Sequence, residues 1–339
     1  MSARIGIIGA GQAGERQADG FAIHGDARVV GVADLDESRA AHLAARYGAT
    51  PVREWRDLFA LGLDVLVVAT PHDLHVAPAE EAAARGVHLM MEKPIATTLA
   101  DAQRIVDVAR DADVRLAVSF VHRFREEARR AKSWVETAGT LQVGREAMAT
   151  RRTPTHPRWL TNAQASGGGV LMYSAIHGVD RLRWFFGDEV VEVSARTRRY
   201  TPDNAEVEDG VAALLTFAHG GCATLTANAP TYPADPAVWE TEVHGERAMV
   251  RMRTRGFAET SSAAGAERYV PGEDEETARP HYNFERQAAD LLAAVAAGRD
   301  PSVTGEDGIR ALEICLAIYS SADTGRPVEI DALRREVAA

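Results

Sequence analysis

The chain has 339 residues, 46% of them hydrophobic and 26% charged. That composition is globular, excludes disordered, collagen-like and small disulfide-stapled classes, and suggests two domains. The net charge of −11 is spread without a basic patch, which argues against a nucleic-acid partner. Purely apolar runs, such as 65–69, fall far short of the roughly 20 residues that span a bilayer.

Residues 4–120 read as repeated strand–helix units. Apolar runs at 4–8, 29–33, 65–69, 88–91 and 116–120 alternate with Ala-rich amphipathic segments at 37–47, 76–85 and 99–110. Strands apolar throughout and separated by helices indicate a parallel sheet covered on both faces. After residue 121 the pattern changes. A helix over 126–138 leads to a strand at 143–152, a Pro-containing loop, and a helix over 169–186. Strand patterns follow at 190–199, 211–217, 222–227, 238–244 and 248–253, joined by turn signals such as His219-Gly220-Gly221. These predict an antiparallel sheet. Residues 260–281 show no periodicity and read as an exposed excursion, with the acidic run 273–276 a solvated face. Helices over 284–297 and 306–321 close the chain. The reading is an α/β nucleotide-type domain (1–121) followed by an α+β domain (122–339). Two cysteines, Cys222 and Cys315, without CxxC or a Cys/His cluster, fit a reducing cytoplasm and no metal site.

Gly9-Ala10-Gly11-Gln12-Ala13-Gly14 is a G-x-G-x-x-G that follows the first strand and opens a helix, with Asp34 at the end of the next strand. In that context Gly9 makes the tight turn, Gly11 lets a pyrophosphate approach the helix N-terminus, and Gly14 permits close packing. Gln12 and Ala13 supply the first helical N–H groups. Asp34 would accept from the adenine ribose and repel a 2′-phosphate. No Arg directly follows it, the nearest downstream being Arg39, so NAD is favoured over NADP. Two other strand ends face the same crevice. One carries Thr70-Pro71-His72-Asp73-Leu74-His75, the other Glu92-Lys93-Pro94. His72 and His75 lack a third ligand and the H-E-x-x-H pattern; His75 reads as structural or as a cofactor contact.

Of the 38 basic residues, only Lys93 and Lys132 are lysines. Lys93 falls where a nicotinamide and its substrate would meet. An ammonium there stabilises negative charge on a reacting oxygen, and unlike Arg it loses its proton when burial depresses its pKa. Lys132, in an Arg-rich helix, reads as an exposed residue. The second cluster is Gly167-Gly168-Gly169, which reads as allowing close approach of a ligand, followed by Tyr173, His177 and Asp180 at helical spacing. His177 is either a general base with an unperturbed pKa of about 6.5 or a buried histidine bonded to Asp180.

The set Gly9/Gly11/Gly14, Thr70-Pro71 with His75, Glu92-Lys93-Pro94, and Gly167-Gly168-Gly169 with His177 and Asp180 resembles the Gfo/Idh/MocA family of glucose–fructose oxidoreductase and inositol dehydrogenase. Val207-Glu208-Asp209 and Thr324-Gly325-Arg326-Pro327-Val328 extend the resemblance over essentially the whole chain. It implies an N-terminal Rossmann dinucleotide-binding domain and a C-terminal α+β domain with a mostly antiparallel open sheet. It also implies association into homodimers or homotetramers through that sheet, a cis Lys93–Pro94 bond, and NAD(P)-dependent chemistry on sugars, sugar derivatives or cyclitols. One departure stands out. Family members typically carry Asp four residues before the helix histidine, where this chain has Tyr173. A phenol with a pKa of about 10 is a poor base near neutrality, so Tyr173 donates to the substrate, shapes its pocket or fills space.

On the substrate side, His122 and Arg123 leave the first domain, and the loop 151–164 carries Arg152, His156, Arg158 and Trp159. A sugar needs hydrogen-bond donors beside an aromatic face, although Trp159 equally suits a packing anchor. The leading expectation is an NAD-dependent dehydrogenase or reductase in which His177 moves the proton and Lys93 polarises the oxygen. The alternatives are a glycosidase or lyase that returns the hydride, and a non-catalytic sugar or dinucleotide sensor.

Overall fold

The computed structural model describes residues 2–151, 156–201, 206–229, 237–272 and 281–338. The chain opens with β1 (Ala3–Ile8), α1 (Gln12–Ile23), β2 (Ala27–Ala33), α2 (Glu37–Tyr47), β3 (Thr50–Val52), β4 (Val65–Val68), α3 (Val76–Ala84), β5 (His88–Met91), α4 (Leu99–Asp111) and β6 (Leu116–Val118). It continues with α5 (Glu126–Val135), β7 (Leu141–Ala149), α6 (Ala163–Ser166), α7 (Ile176–Phe186), β8 (Val190–Arg198), β9 (Gly210–Phe217) and β10 (Cys222–Asn228). Then come β11 (Val238–Gly245), β12 (Ala248–Arg253), β13 (Phe257–Ser262), β14 (Gly265–Tyr269), α8 (Tyr282–Ala297), α9 (Gly305–Thr324), β15 (Val328–Glu329) and α10 (Ile330–Ala338). No described helix is long and apolar enough to cross a membrane.

The chain forms two compact units, Met1–Phe124 with Arg279–Ile309, and Arg125–Ala278 with Arg310–Ala339. A single break near residue 121 therefore misses the return of α8 to the first unit. The reason lies in packing. Ala288 and Leu291 of α8 join the core cluster of Ile5, Ile7, Phe21 and Val67, and α1 comes so close that a Cβ on Gly20 would sit 2.7 Å from the Phe284 backbone.

In the first unit six strands run parallel in the order β3-β2-β1-β4-β5-β6. All four residues of the central strand β4 are inaccessible, because helices cover both faces. The order reverses between β1 and β4, which opens a crevice at the carboxyl ends of those strands.

The second unit holds nine strands in the order β14-β13-β12-β11-β7-β10-β9-β8-β15. All neighbours are antiparallel except β7 and β10, which run parallel. Burial alternates along β9 and β10, so one face packs inward. Beneath it, Ala128, Ala131 and Val135 of α5 and Phe185 of α7 meet Val243, Val250 and Met252.

The other face carries a row of directly opposed charges. Arg145 pairs in register with Glu242, Glu242 with Arg251, Arg251 with Glu259 and Glu259 with Arg268. The ion pairs follow that row: Arg145 Nη2 lies 3.1 Å from Glu242 and Arg268 Nη1 3.2 Å from Glu259, with Arg251 bridging Glu242 and Glu259. Two of these strands, β13 and β14, occupy the stretch that reads in sequence as an unstructured excursion. Cross-strand charge holds them where apolar alternation is weak. The acidic run 273–276 lies outside the described residues.

Candidate active site

Three glycines at the start of α1 do three different jobs. Gly9 has φ +95, and a Cβ there would sit 2.3 Å from Ala69 O. A Cβ on Gly14 would sit 1.8 Å from Gly9 O. At Gly11 it would meet nothing within 4 Å. Gly11 also caps α1 without a side-chain hydrogen bond, so the N–H groups of the first turn, from exposed Gln12 and half-buried Ala13, remain for an anion at the positive end of the helix. That cradle fits a dinucleotide pyrophosphate.

Asp34 stands at the end of β2 and accepts from Ala10 N at 2.8 Å and Asp36 N at 2.8 Å. Arg39, five residues downstream, reaches Asp34 Oδ1 at 3.0 Å. The carboxylate keeps the charge that disfavours a 2′-phosphate, and the guanidinium offsets part of it. At the end of β4 the Thr70 hydroxyl oxygen is buried without a hydrogen-bond partner among the described residues, an unmet polar group that a cofactor can satisfy. Pro71 starts a short 3₁₀ turn, His72–Leu74. His75 is fully buried, with Nδ1 3.0 Å from Ile95 O and Nε2 3.2 Å from Thr70 O. Burial holds its pKa below the usual histidine value. It ties the end of β4 to the segment after the Lys93–Pro94 bond, which is cis.

Lys93 follows β5, and burial pushes its amine down from 10.5 to about 8 against the opposing charge of Glu92. Glu92 itself is engaged by Gln17, whose Nε2 donates to Oε1 at 2.7 Å. Gln17, Ser119 and Gln287 form a buried polar group there, which sequence reasoning missed. A polar residue on an apolar helical stripe is the signal that marks both glutamines. Arg123 is nearly buried and pairs with Asp307 at 3.0 Å. His122 is half-buried beside it.

In the second unit the three-glycine turn is filled by the protein itself. A Cβ on Gly168 would sit 2.0 Å from the Tyr319 hydroxyl, and one on Gly169 1.8 Å from Glu208 O. The glycines admit Glu208 rather than a ligand. Its carboxylate accepts from Gly169 N at 2.8 Å, Leu171 N at 2.9 Å and Tyr319 OH at 3.0 Å. Burial raises its pKa against these donors. This cap starts a π turn, Leu171–Ala175, in which the N–H of Ile176 reaches back to Leu171 O; only then does α7 begin. Such turns recur at functional sites, and this one breaks the uniform helical spacing assumed between Tyr173 and His177.

His177 is buried at 7% exposure, its ring 6.2 Å from that of Trp239, another residue the sequence did not mark. Tyr173 is half-buried with the His156 ring edge-on at 5.8 Å, which brings the loop to the start of the helix. Asp180 is 1% exposed. One turn past His177, Arg181 lies fully buried against Glu146 at 2.5 Å and Thr241 at 2.5 Å. Gly178 makes room for that carboxylate, since a Cβ there would sit 2.6 Å from Glu146 Cγ. Breaking such a pair costs about 3–5 kcal/mol, so it fixes the rotation of α7 and with it the ring of His177. Trp159 is half-buried on a 3₁₀ turn, Arg158–Thr161. Arg152 lies outside the described residues. Among those described, no three His, Cys, Asp or Glu side chains converge as metal ligands.

Residues 3–120 match the family model described as an oxidoreductase family with an NAD-binding Rossmann fold, and residues 143–330 match its C-terminal alpha/beta domain. The chain is 29% identical to 1,5-anhydro-D-fructose reductase of Ensifer adhaerens over 79% of its length and 80% of that protein's. It is 27% identical to inositol 2-dehydrogenase of Rhizobium meliloti (strain 1021), over 97% of this chain and 100% of the relative. Among solved structures, levoglucosan dehydrogenase in complex with NADH and levoglucosan superposes with a TM-score of 0.89 at 22% identity, covering 97% of this chain and 100% of that one; it shares the fold.

Proposed function

The chain belongs to the Gfo/Idh/MocA oxidoreductase family, and we propose that it is an NAD-dependent dehydrogenase or reductase of a secondary alcohol or ketone in a sugar, sugar derivative or cyclitol. The observation that carries this reading is the open glycine turn at Gly11, with Asp34 and Lys93 at the carboxyl ends of neighbouring parallel strands. The relatives named for sugar and inositol chemistry support the substrate class.

NAD, when bound, supplies the acceptor for the hydride that leaves the alcohol carbon. The Lys93 ammonium donates a hydrogen bond to the reacting oxygen and stabilises its growing negative charge. His177 takes the hydroxyl proton in oxidation and returns it in reduction. Tyr173 donates a hydrogen bond from its phenol to a second substrate oxygen, with His122 and Trp159 offering further polar and aromatic contact. Exposed Val143 and Leu214, at 52% and 44%, support a homodimer or homotetramer through the open sheet face. The free cysteines Cys222 and Cys315 suit a cytoplasmic setting.

NADH absorbance with a panel of sugars and cyclitols tests the reaction, and product formed without change in NADH would turn the reading to redox-neutral chemistry. Lys93→Met should bind NAD normally and lose about 10²–10³-fold in kcat; turnover at the wild-type rate would sink the assignment. The ammonium is the working form, present below its pKa and lost above it. Wild-type kcat/KM should therefore fall as pH rises past about 8.

A further inference from the structure

Two helices far apart in sequence each bury a glutamine within an apolar stripe. In α1, Gly14, Gln17, Ala18 and Phe21 follow the i, i+3, i+4, i+7 spacing of a core face. In α8, Phe284, Gln287, Ala288 and Leu291 repeat it. Gln17 is 1% exposed and Gln287 2%. A buried primary amide costs free energy unless its donors and acceptor are met, so the direction of its bonds is informative.

Gln17 Nε2 donates to Glu92 Oε1 at 2.7 Å and to Ser119 Oγ at 2.8 Å. Its carbonyl oxygen accepts from Gln287 Nε2 at 3.2 Å. The Gln17 amide is thus held at both ends. Turned over, its oxygen would face the Glu92 carboxylate and its NH₂ would face that of Gln287. Glu92 directly precedes Lys93, and its second oxygen lies 3.4 Å from the Lys93 backbone N–H. A donor on a carboxylate favours its charged form, and a charged carboxylate beside an amine favours the ammonium.

We infer that Gln17 and Gln287 are positioning residues for Lys93: they hold the Glu92 carboxylate in place, and through it set the proton occupancy of the Lys93 amine. Glu92 is a charged group that acts on Lys93, opposing burial. The other members of the network, Ser119 and Met90, whose sulfur lies 3.3 Å from Gln287 Nε2, carry no charge. The inference rests on the reading of Lys93 as the residue that binds the reacting oxygen, but its test does not pass through turnover.

The composition makes that test direct. Full-length protein labelled with ¹³C-lysine has two lysines, and Lys132→Arg assigns their Cε resonances. Gln17→Met should lower the Lys93 titration midpoint by about one pH unit, and Gln287→Met should move it the same way by less, with Lys132 unchanged. The basic limb of the kcat/KM profile should move with the midpoint. A Lys93 midpoint that stays put in the folded variants overturns the inference. Where Gln17→Met does not fold, Glu92→Gln carries the test, because it removes the charge at constant shape. An unmoved Lys93 there is equally fatal. If the midpoint moves while Lys93→Met keeps full activity, the catalytic reading fails and the positioning stands.

Discussion

A side chain added at Gly11 would meet nothing within 4 Å, whereas one added at Gly169 would sit 1.8 Å from the backbone oxygen of Glu208. Both glycines belong to glycine-rich turns that open a helix carrying chemistry. In the first unit the turn leaves the helix N-terminus uncapped by any side chain, a vacancy shaped for an anion. In the second, Glu208 and Tyr319 occupy the turn and cap it from within. Glycine-rich turns therefore serve opposite ends: one uses glycine to receive a ligand, the other to receive its own carboxylate.

Substitutions separate the two cases. Gly169→Ala should be the most damaging, costing about 3 kcal/mol in chemical denaturation because backbone rather than a flexible side chain must move. A melting profile like wild type would show that the turn has slack the distances deny. Gly11→Ala should leave stability within about 1 kcal/mol yet weaken NAD binding about tenfold, as read by calorimetry. Equal losses of stability and affinity would erase the contrast. Glu208→Gln should cost about 1–3 kcal/mol, since an amide offers one acceptor oxygen where two N–H groups wait. Its pH signature is smaller still. The Glu208 carboxyl titrates higher in the fold than in the unfolded chain, because burial outweighs its donors. Between those two values the folded chain holds a proton that the unfolded chain lacks, so stability falls as pH rises through the window. Glu208→Gln should flatten that part of the stability curve, and an unchanged slope would assign the proton elsewhere.

The same contrast explains what could be read in the sequence. The Rossmann motif is a local string of glycines after an apolar strand, so the turn at Gly9, Gly11 and Gly14 and the strand-end position of Asp34 are legible from spacing. The second turn reads the same way in one dimension, and only Glu208, 39 residues downstream, reveals its use. Arg39 looked distant from Asp34 because chain separation hides how a helix start folds back onto the preceding strand end. The return of α8 was illegible for a related reason: an amphipathic helix announces that it packs, but not on what. The strands β13 and β14 escaped notice because their polar sequences gain their pairing from charges on neighbouring strands.

That row of alternating charges across β7, β11, β12, β13 and β14 also governs where the sheet stops. A nine-stranded sheet has two borders with unsatisfied backbone groups, each a template on which another chain can polymerise. One border, β15, is two residues long and offers almost nothing to copy. The other, β14, is longer but carries Arg268 opposite Glu259, with Arg251 behind it. A strand arriving from solvent would have to meet that charge with a complement of its own, so the row that sets the register inside the molecule also guards its rim against aggregation.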